Sequence, residues 1–134
     1  MDLILDNLAV GSAQDGASPP ADVGALLCVA AEINTPDAGR PFCKVPIVDM
    51  QPIPPAQLQE AVEWIRNHIT DHRVLVFCNA GVGRSSSVAV AYLCSVAGFG
   101  FGEAVEWVAR RHPHMSILPD LIGGVDEVAR RLSE

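Results

Sequence analysis

Lysine occurs once in these 134 residues, as Lys44, and only 9 basic side chains stand against 16 acidic ones, a formal charge of −7. A nucleic-acid binder gains affinity by neutralising a row of phosphates with Lys and Arg, so this balance excludes that class and weighs against anionic membrane surfaces. It does not weigh against a single phosphoryl group, which needs one well-placed arginine. Closely spaced cysteines are missing too. Cys28, Cys43, Cys78 and Cys94 lie 15, 35 and 16 residues apart, with no C-x-x-C pair to suggest a structural zinc site and no disulfide framework. No cationic, apolar-cored leader stands at Met1-Asp2-Leu3, so the thiols are expected in a reducing cytoplasm. One stretch lacks charge altogether, Ser85 to Gly102. Its serines and glycines make it too polar for a bilayer helix of about 20 apolar residues, and a helix buried inside a soluble domain fits better. His68 and His72 have no third ligand nearby, and His112 and His114 merely flank a proline, so neither a metal nor any other cofactor is expected.

What is present is apolar and regularly punctuated. Hydrophobic residues make up 49% of the chain, and a chain near this length buries about two thirds of its unfolded surface. Short apolar runs alternate with helical patterns, the mark of an α/β domain. Strands are expected at Leu3–Leu5, Leu8–Gly11, Ala25–Ala30, Lys44–Val48 and Arg73–Cys78. The last three have near-continuous apolar character, which suits strands covered on both faces. Helices are expected from Pro55 to Ile69, from Ser85 to about Ala97, from Gly102 to Arg111, and from an N-cap at Asp120 through Leu132. Trp64 and Trp107 fall on helices as packing residues. The segments Ala17–Asp22 and Thr35–Pro41 read as ordinary connections. The expectation is therefore one α/β domain over residues 1–134, with a central mainly parallel, mixed sheet of four to five strands flanked by helices on both faces.

The segment from Val74 to Ser87 carries the chemistry. It is a buried strand, then the loop Asn79-Ala80-Gly81-Val82-Gly83, then the start of a helix. Such a loop can turn backbone N–H groups inward and add the positive end of a helix dipole, which together make an anion site. Cys78 stands at its entrance, where a thiol ionises more readily and attacks phosphorus as a thiolate. Arg84, six positions on, offers a planar guanidinium that grips two phosphate oxygens. The glycines permit the backbone angles of a cradle. A nucleotide loop of the G-x-x-x-x-G-K-[ST] type is excluded, since no Gly-Lys-Ser/Thr occurs.

Cys78 to Ser85 resembles the signature C-x-x-x-x-x-R-S/T of the cysteine-dependent protein tyrosine phosphatases, and the chain resembles their small dual-specificity branch. Asn7-Leu8-Ala9-Val10-Gly11-Ser12, Leu26 to Ile33, Val45-Pro46-Ile47-Val48-Asp49 and Arg111-His112-Pro113 are similar to further segments of that family. The low-molecular-weight tyrosine phosphatases carry the same Cys-to-Arg spacing near the N-terminus with the acid downstream; here the acid candidate lies upstream. The resemblance implies that Asp49, 29 residues before Cys78, is general acid and base, although an Asp before Met50-Gln51-Pro52 also suits a turn. It implies that Ser85 eases departure of the Cys78 sulfur, although Ser at a helix start is also a common cap. Cys28 or Cys43 is offered as a disulfide partner for oxidised Cys78, and spacing alone places neither.

The expected activity is a metal-independent protein phosphatase working through a phosphocysteine. Cys78 is the nucleophile, and Arg84 with the N–H groups of Asn79, Ala80, Gly81, Val82, Gly83 and Arg84 holds the phosphoryl oxygens. Phosphotyrosine and, with it, phosphoserine or phosphothreonine in protein are favoured over lipid head groups, because the loop interior has no Lys or Arg. A monomer is expected. The rivals are a phosphate-binding pseudophosphatase, which has no need of the acid, and a rhodanese-like sulfur carrier, which leaves Asp49 unexplained. One departure matters: the family has His immediately before the nucleophile, and this chain has Phe77. The resemblance gives that imidazole a part in ordering the loop and ionising the thiol. Activity is thus predicted to be weaker, or displaced to higher pH, than in His-bearing relatives. Iodoacetate alkylation followed against pH reads this: the rate should still climb above neutrality, and a rate already level at about pH 6 would overturn it.

Overall fold

The computed structural model describes residues 1–34 and 39–134. In chain order the elements are β1 (Asp2–Leu5), β2 (Leu8–Gly11), α1 (Ala13–Ala17), β3 (Ala25–Cys28), β4 (Phe42–Lys44), α2 (Pro55–His68), β5 (Val74–Phe77), α3 (Arg84–Ser95), α4 (Phe101–Arg111) and α5 (Leu121–Leu132). The strands form one sheet in the order β1-β2-β5-β3-β4. β1 is antiparallel to β2, and every other pairing is parallel. This is the mixed, mainly parallel sheet expected, in a single α/β domain. β2, β3 and β5 are buried along their whole length, as uncharged strands between two layers must be.

Successive side chains of β5 point to opposite faces. Phe77 meets α1, for a Cβ placed on Gly16 would stand 2.5 Å from its ring. α1 packs against β2 and β5, while α2, α3, α4 and α5 pack on one another as a separate layer. α3 is the centre of that layer, buried at every position from Arg84 to Leu93. The uncharged stretch is therefore a core helix through Leu93, its end at Ala97, Gly98, Gly100 and Gly102 being exposed, and among the described residues no helix is long and apolar enough to cross a membrane.

Several boundaries differ from expectation. The fourth strand is Phe42–Lys44 rather than Lys44–Val48. Val45 N–H still reaches the Cys28 carbonyl at 2.9 Å, but Pro46 has no N–H to continue the ladder and Ile47 N–H turns back on the Val45 carbonyl at 2.8 Å. β3 likewise ends at Cys28, and β5 covers Val74–Phe77 within the expected Arg73–Cys78. Asp120 precedes α5 but makes no side-chain cap bond, because its backbone is left-handed (φ 55°, ψ 29°) where a capping residue is extended. α1 has no counterpart among the expected elements. It is held by a capping box: Ser12 Oγ accepts from Asp15 N–H at 3.4 Å and Asp15 Oδ2 from Ser12 N–H at 2.9 Å. Of the connection at Thr35–Pro41, residues 35–38 lie outside the described ones.

The close approach of α1 to the sheet is testable. Gly16→Ala gains about 1 kcal/mol of helix propensity, yet the new methyl overlaps the Phe77 ring, and such overpacking costs about 1–3 kcal/mol. Urea denaturation should show a net loss of stability, recovered in part when Phe77→Leu is added.

Candidate active site

Cys78 is the first residue after β5, 2% exposed, its N–H bonded to the Gly11 carbonyl at 3.3 Å. β5 lies between β2 and β3, so the thiol emerges at the carboxyl edge of the sheet's centre, directly before the amino end of α3. The loop between is shaped by its carbonyls. Ala13 N–H bonds that of Asn79 at 3.0 Å, His112 Nε2 that of Gly81, Ser116 N–H that of Val82 at 3.0 Å, and Ser87 N–H that of Gly83 at 2.9 Å. In a trans peptide C=O and N–H point opposite ways. The N–H groups of Ala80, Val82, Gly83 and Arg84 therefore face away from those partners, toward the centre of the loop. Gly81 makes the turn at φ +75°, where a Cβ would also stand 2.8 Å from the backbone of Gly11.

A cavity of ≈ 320 Å³ opens on this loop, lined by Cys78, Ala80, Val82, Gly83 and Arg84 on one side and by Asp49, Met50 and residues 116–119 on the other. Asn79 and Gly81 stay outside the lining. Cys78 Sγ is 3.4 Å from Ser85 Oγ. As a thiol it donates to that oxygen; as a thiolate it accepts from the hydroxyl. Asp49 overhangs the loop, half exposed, with Oδ1 accepting Met50 N–H at 2.9 Å and lying 3.8 Å from Arg84 Nε. Met50 follows in a left-handed conformation, φ 62°.

Arg84 is the most constrained group in the site. It is 2% exposed. Its Nη1 and Nη2 donate to Glu32 Oε1 and Oε2, both at 2.6 Å, and Nη1 also to the Ile47 carbonyl at 3.1 Å. The bidentate bond to Arg84 holds the Glu32 carboxyl down at about 2, from an ordinary 4.5. Nε is left, a buried donor with no hydrogen bond, pointing at the side of the cavity where Asp49 lies. Glu32 lies within the family-like segment Leu26 to Ile33, and its acidic type beside an apolar strand is its signal in the sequence. Lys44 fixes the turn that carries it, donating to the carbonyls of Ala31 and Ile33 at 3.1 and 2.8 Å and to Asn34 Oδ1 at 3.1 Å.

Residues 116–119 carry no expected part, yet Leu118 N–H bonds Ser87 Oγ at 2.9 Å and Ser116 N–H the Val82 carbonyl at 3.0 Å, which straps this segment over α3. His112, read as unremarkable, contacts the loop itself. The other cysteines stand back. All four are free; Cys28 pairs in register with Phe77, one residue before Cys78, and Cys43 one strand further out. Burial pushes the Cys28 and Cys43 thiols up, and Cys94 up to about 11. His68 stacks on Trp64 with ring centroids 4.0 Å apart, and its Nδ1 meets the Trp64 carbonyl. Among the described residues no group of three metal-type ligands occurs.

The Arg84–Glu32 pair sets a pH signature. Glu32 titrates lower folded than unfolded, so its contribution is complete above 4.5 and is lost as pH falls toward about 2. Glu32→Gln should cost about 1–2 kcal/mol in urea denaturation at neutral pH, less than the 3–5 kcal/mol of a fully enclosed pair because Glu32 is half exposed. The gap to wild type should narrow below pH 4.5 and stay constant above it.

The comparisons with known proteins bear on this site. The family model described as "Dual specificity phosphatase, catalytic domain" matches residues 21–130. Among curated proteins, the Protein-tyrosine-phosphatase IBR5 of Arabidopsis thaliana is 35% identical over 72 residues, 53% of this chain and 28% of that one. Human Dual specificity protein phosphatase 2 is 33% identical over 89 residues, 60% of this chain and 28% of its own. The mouse Phosphatidylglycerophosphatase and protein-tyrosine phosphatase 1 is 30% identical over 98 residues, 72% of this chain and 51% of its own. The chain thus spans about a quarter to a half of these relatives. Human DUSP28 has the same fold, with TM-score 0.86 at 21% identity over 99% of this chain and 98% of that one. With a family match over 21–130 that contains the Cys78 loop, Asp49 and Glu32, the chain belongs to the dual specificity phosphatase catalytic domain family.

Proposed function

We propose that this domain hydrolyses phosphate monoesters, phosphotyrosine in protein before all and phosphoserine or phosphothreonine with it, through a phosphocysteine. The observation that carries the reading is the Arg84 side chain: three of its five N–H groups go to Glu32 and Ile47, while its buried Nε, without a hydrogen bond, faces the cavity that Cys78 and Asp49 share. A phosphoryl oxygen satisfies that donor, and the N–H groups of Ala80, Val82, Gly83 and Arg84 take the others. The Cys78 thiolate attacks phosphorus, the P–O ester bond breaks, and Asp49 gives its proton to the departing oxygen. Asp49 then takes a proton from the water that attacks the phosphocysteine. Inorganic phosphate forms, and the sulfur leaves as a thiolate accepting from Ser85 Oγ.

Substrate class follows from the cavity wall. Met50, Ile117, Leu118 and Pro119 are apolar, Met50 is 82% exposed, and Arg84 is the one cation among the lining residues. This favours a single phosphoryl group on an aryl or apolar carrier over a polyphosphorylated head group, and the charge of −7 works against an anionic vesicle surface. A reducing, cytoplasmic setting and a monomeric state complete the reading; the four free thiols support the first.

Turnover of p-nitrophenyl phosphate should vanish in Cys78→Ser and fall about 100-fold or more in Asp49→Asn. In a substrate panel, phosphotyrosine peptides should outrun phosphoserine peptides, phosphoinositides and phosphatidylglycerophosphate in vesicles. Phosphopeptide binding by the wild type without any turnover would decide for a phosphate-binding module instead.

A further inference from the structure

His112 ends α4 and is 13% exposed, and both of its ring nitrogens are engaged by residues distant in the chain. Nδ1 lies 2.6 Å from Asp2 Oδ2 of β1, and Nε2 bonds the Gly81 carbonyl in the active-site loop. A carbonyl oxygen only accepts, and so does an ionised carboxylate. A neutral imidazole has one N–H and one lone pair and satisfies one of the two; the ring that satisfies both carries both protons. Nδ1 thus faces a carboxyl oxygen and Nε2 a carbonyl, and with a proton on each nitrogen both contacts are charge-assisted hydrogen bonds.

The point of contact is the tightest in the loop. Gly81 is buried, its φ is +75°, and a Cβ on it would stand 2.8 Å from the Gly11 backbone. Its carbonyl belongs to the same peptide as the Val82 N–H, so a bond that pulls the oxygen outward turns that N–H inward, toward the Cys78 side of the cavity. Phe77, before Cys78, is wholly buried against α1 and has no polar atom to give the loop. Among the described residues, Asp2 is the charged group paired with the ring. β1 supplies Asp2, and α4 supplies Arg111, whose guanidinium lies 3.5 Å from the centre of the Trp107 ring and bonds the Trp107 carbonyl. The loop supplies only its carbonyl.

We propose that His112, held by Asp2, is a positioning residue for the active-site loop: it fixes the Gly81–Val82 peptide in the orientation that binds phosphate and sets a positive charge behind that loop. It touches neither substrate nor the reacting atoms. The inference rests on the phosphate site proposed above, and phosphate binding can be read apart from turnover.

The probe is inorganic phosphate, titrated calorimetrically into the whole chain, with iodoacetate alkylation of Cys78 and turnover of p-nitrophenyl phosphate measured beside it. His112→Ala should weaken phosphate binding about tenfold and slow alkylation near neutrality, the scale of one charge-assisted bond. His112→Gln, whose amide can donate to Gly81, should recover part of the affinity, and Asp2→Asn should fall between Gln and wild type. Should His112→Ala fail to fold, the Gln and Asn variants carry the same comparison. Wild-type phosphate affinity and alkylation rate in folded His112 variants, even with a lowered melting temperature, would overturn the proposal by making the ring a structural tie only. Loss of phosphate affinity in a chain whose wild type turns over no ester would uphold it and reject the phosphatase reading. A wild type that binds no phosphate rejects both.

Discussion

A guanidinium at 2% exposure, on the first residue of a helix buried through Leu93, can stay there only if its hydrogen bonds are made inside the protein. Glu32 takes two of them, and the Ile47 carbonyl a third. The pairing joins the turn after β3 to the amino end of α3, and the segment after β4 joins through Ile47. The carboxyl edge of the sheet is thereby closed around one charge. The same geometry decides which part of the arginine remains to meet a ligand: Nε, which has no partner, and the second N–H of Nη2. A lysine here would offer neither the fork for Glu32 nor a spare donor fixed in direction.

The loop after β5 obeys a complementary constraint. Its carbonyls are drawn outward by Ala13, His112, Ser116 and Ser87, four residues from three separate parts of the chain. An inward ring of N–H groups is the consequence, and the loop is therefore a product of the tertiary structure rather than of its own glycines. Gly81 is needed because the turn leaves no room against Gly11, whereas at Gly83 a Cβ would find ordinary contact distances of 3.4 Å and more. The short helix α1 matters in the same way. It brings Ala13 to the Asn79 carbonyl and sets Gly16 on the ring of Phe77.

Much of this was legible in the sequence, and the reasons are local. Strands such as Leu8–Gly11 and Val74–Phe77 announce themselves by uninterrupted apolar character, and α2 by Leu58, Val62 and Ile65 at helical steps. Cys78, Arg84 and Ser85 stand in one contiguous motif, so their proximity needed no knowledge of the fold; Asp49 came from the family resemblance. Ser116 was not legible, and Glu32 and His112 stood only as members of family segments without a role, because each reaches the site across the tertiary structure. The fourth strand was misplaced for a different reason. Val45 and Ile47 are as buried as any strand residue, yet Pro46 withholds the N–H that pairing requires, and hydropathy does not register a missing donor. Asp120 has the right composition for a cap and the wrong backbone for one.

The single lysine has a chemical consequence. Lys44 has its ammonium committed to Ala31, Ile33 and Asn34, the turn that carries Glu32 toward Arg84. No other side-chain amine exists in these 134 residues. Acylating reagents that seek side-chain amines have one target, and it is a structural brace one turn removed from the buried guanidinium. Apart from the Met1 α-amine, amine-coupling chemistry would here strike the part of the scaffold that holds Glu32 against Arg84.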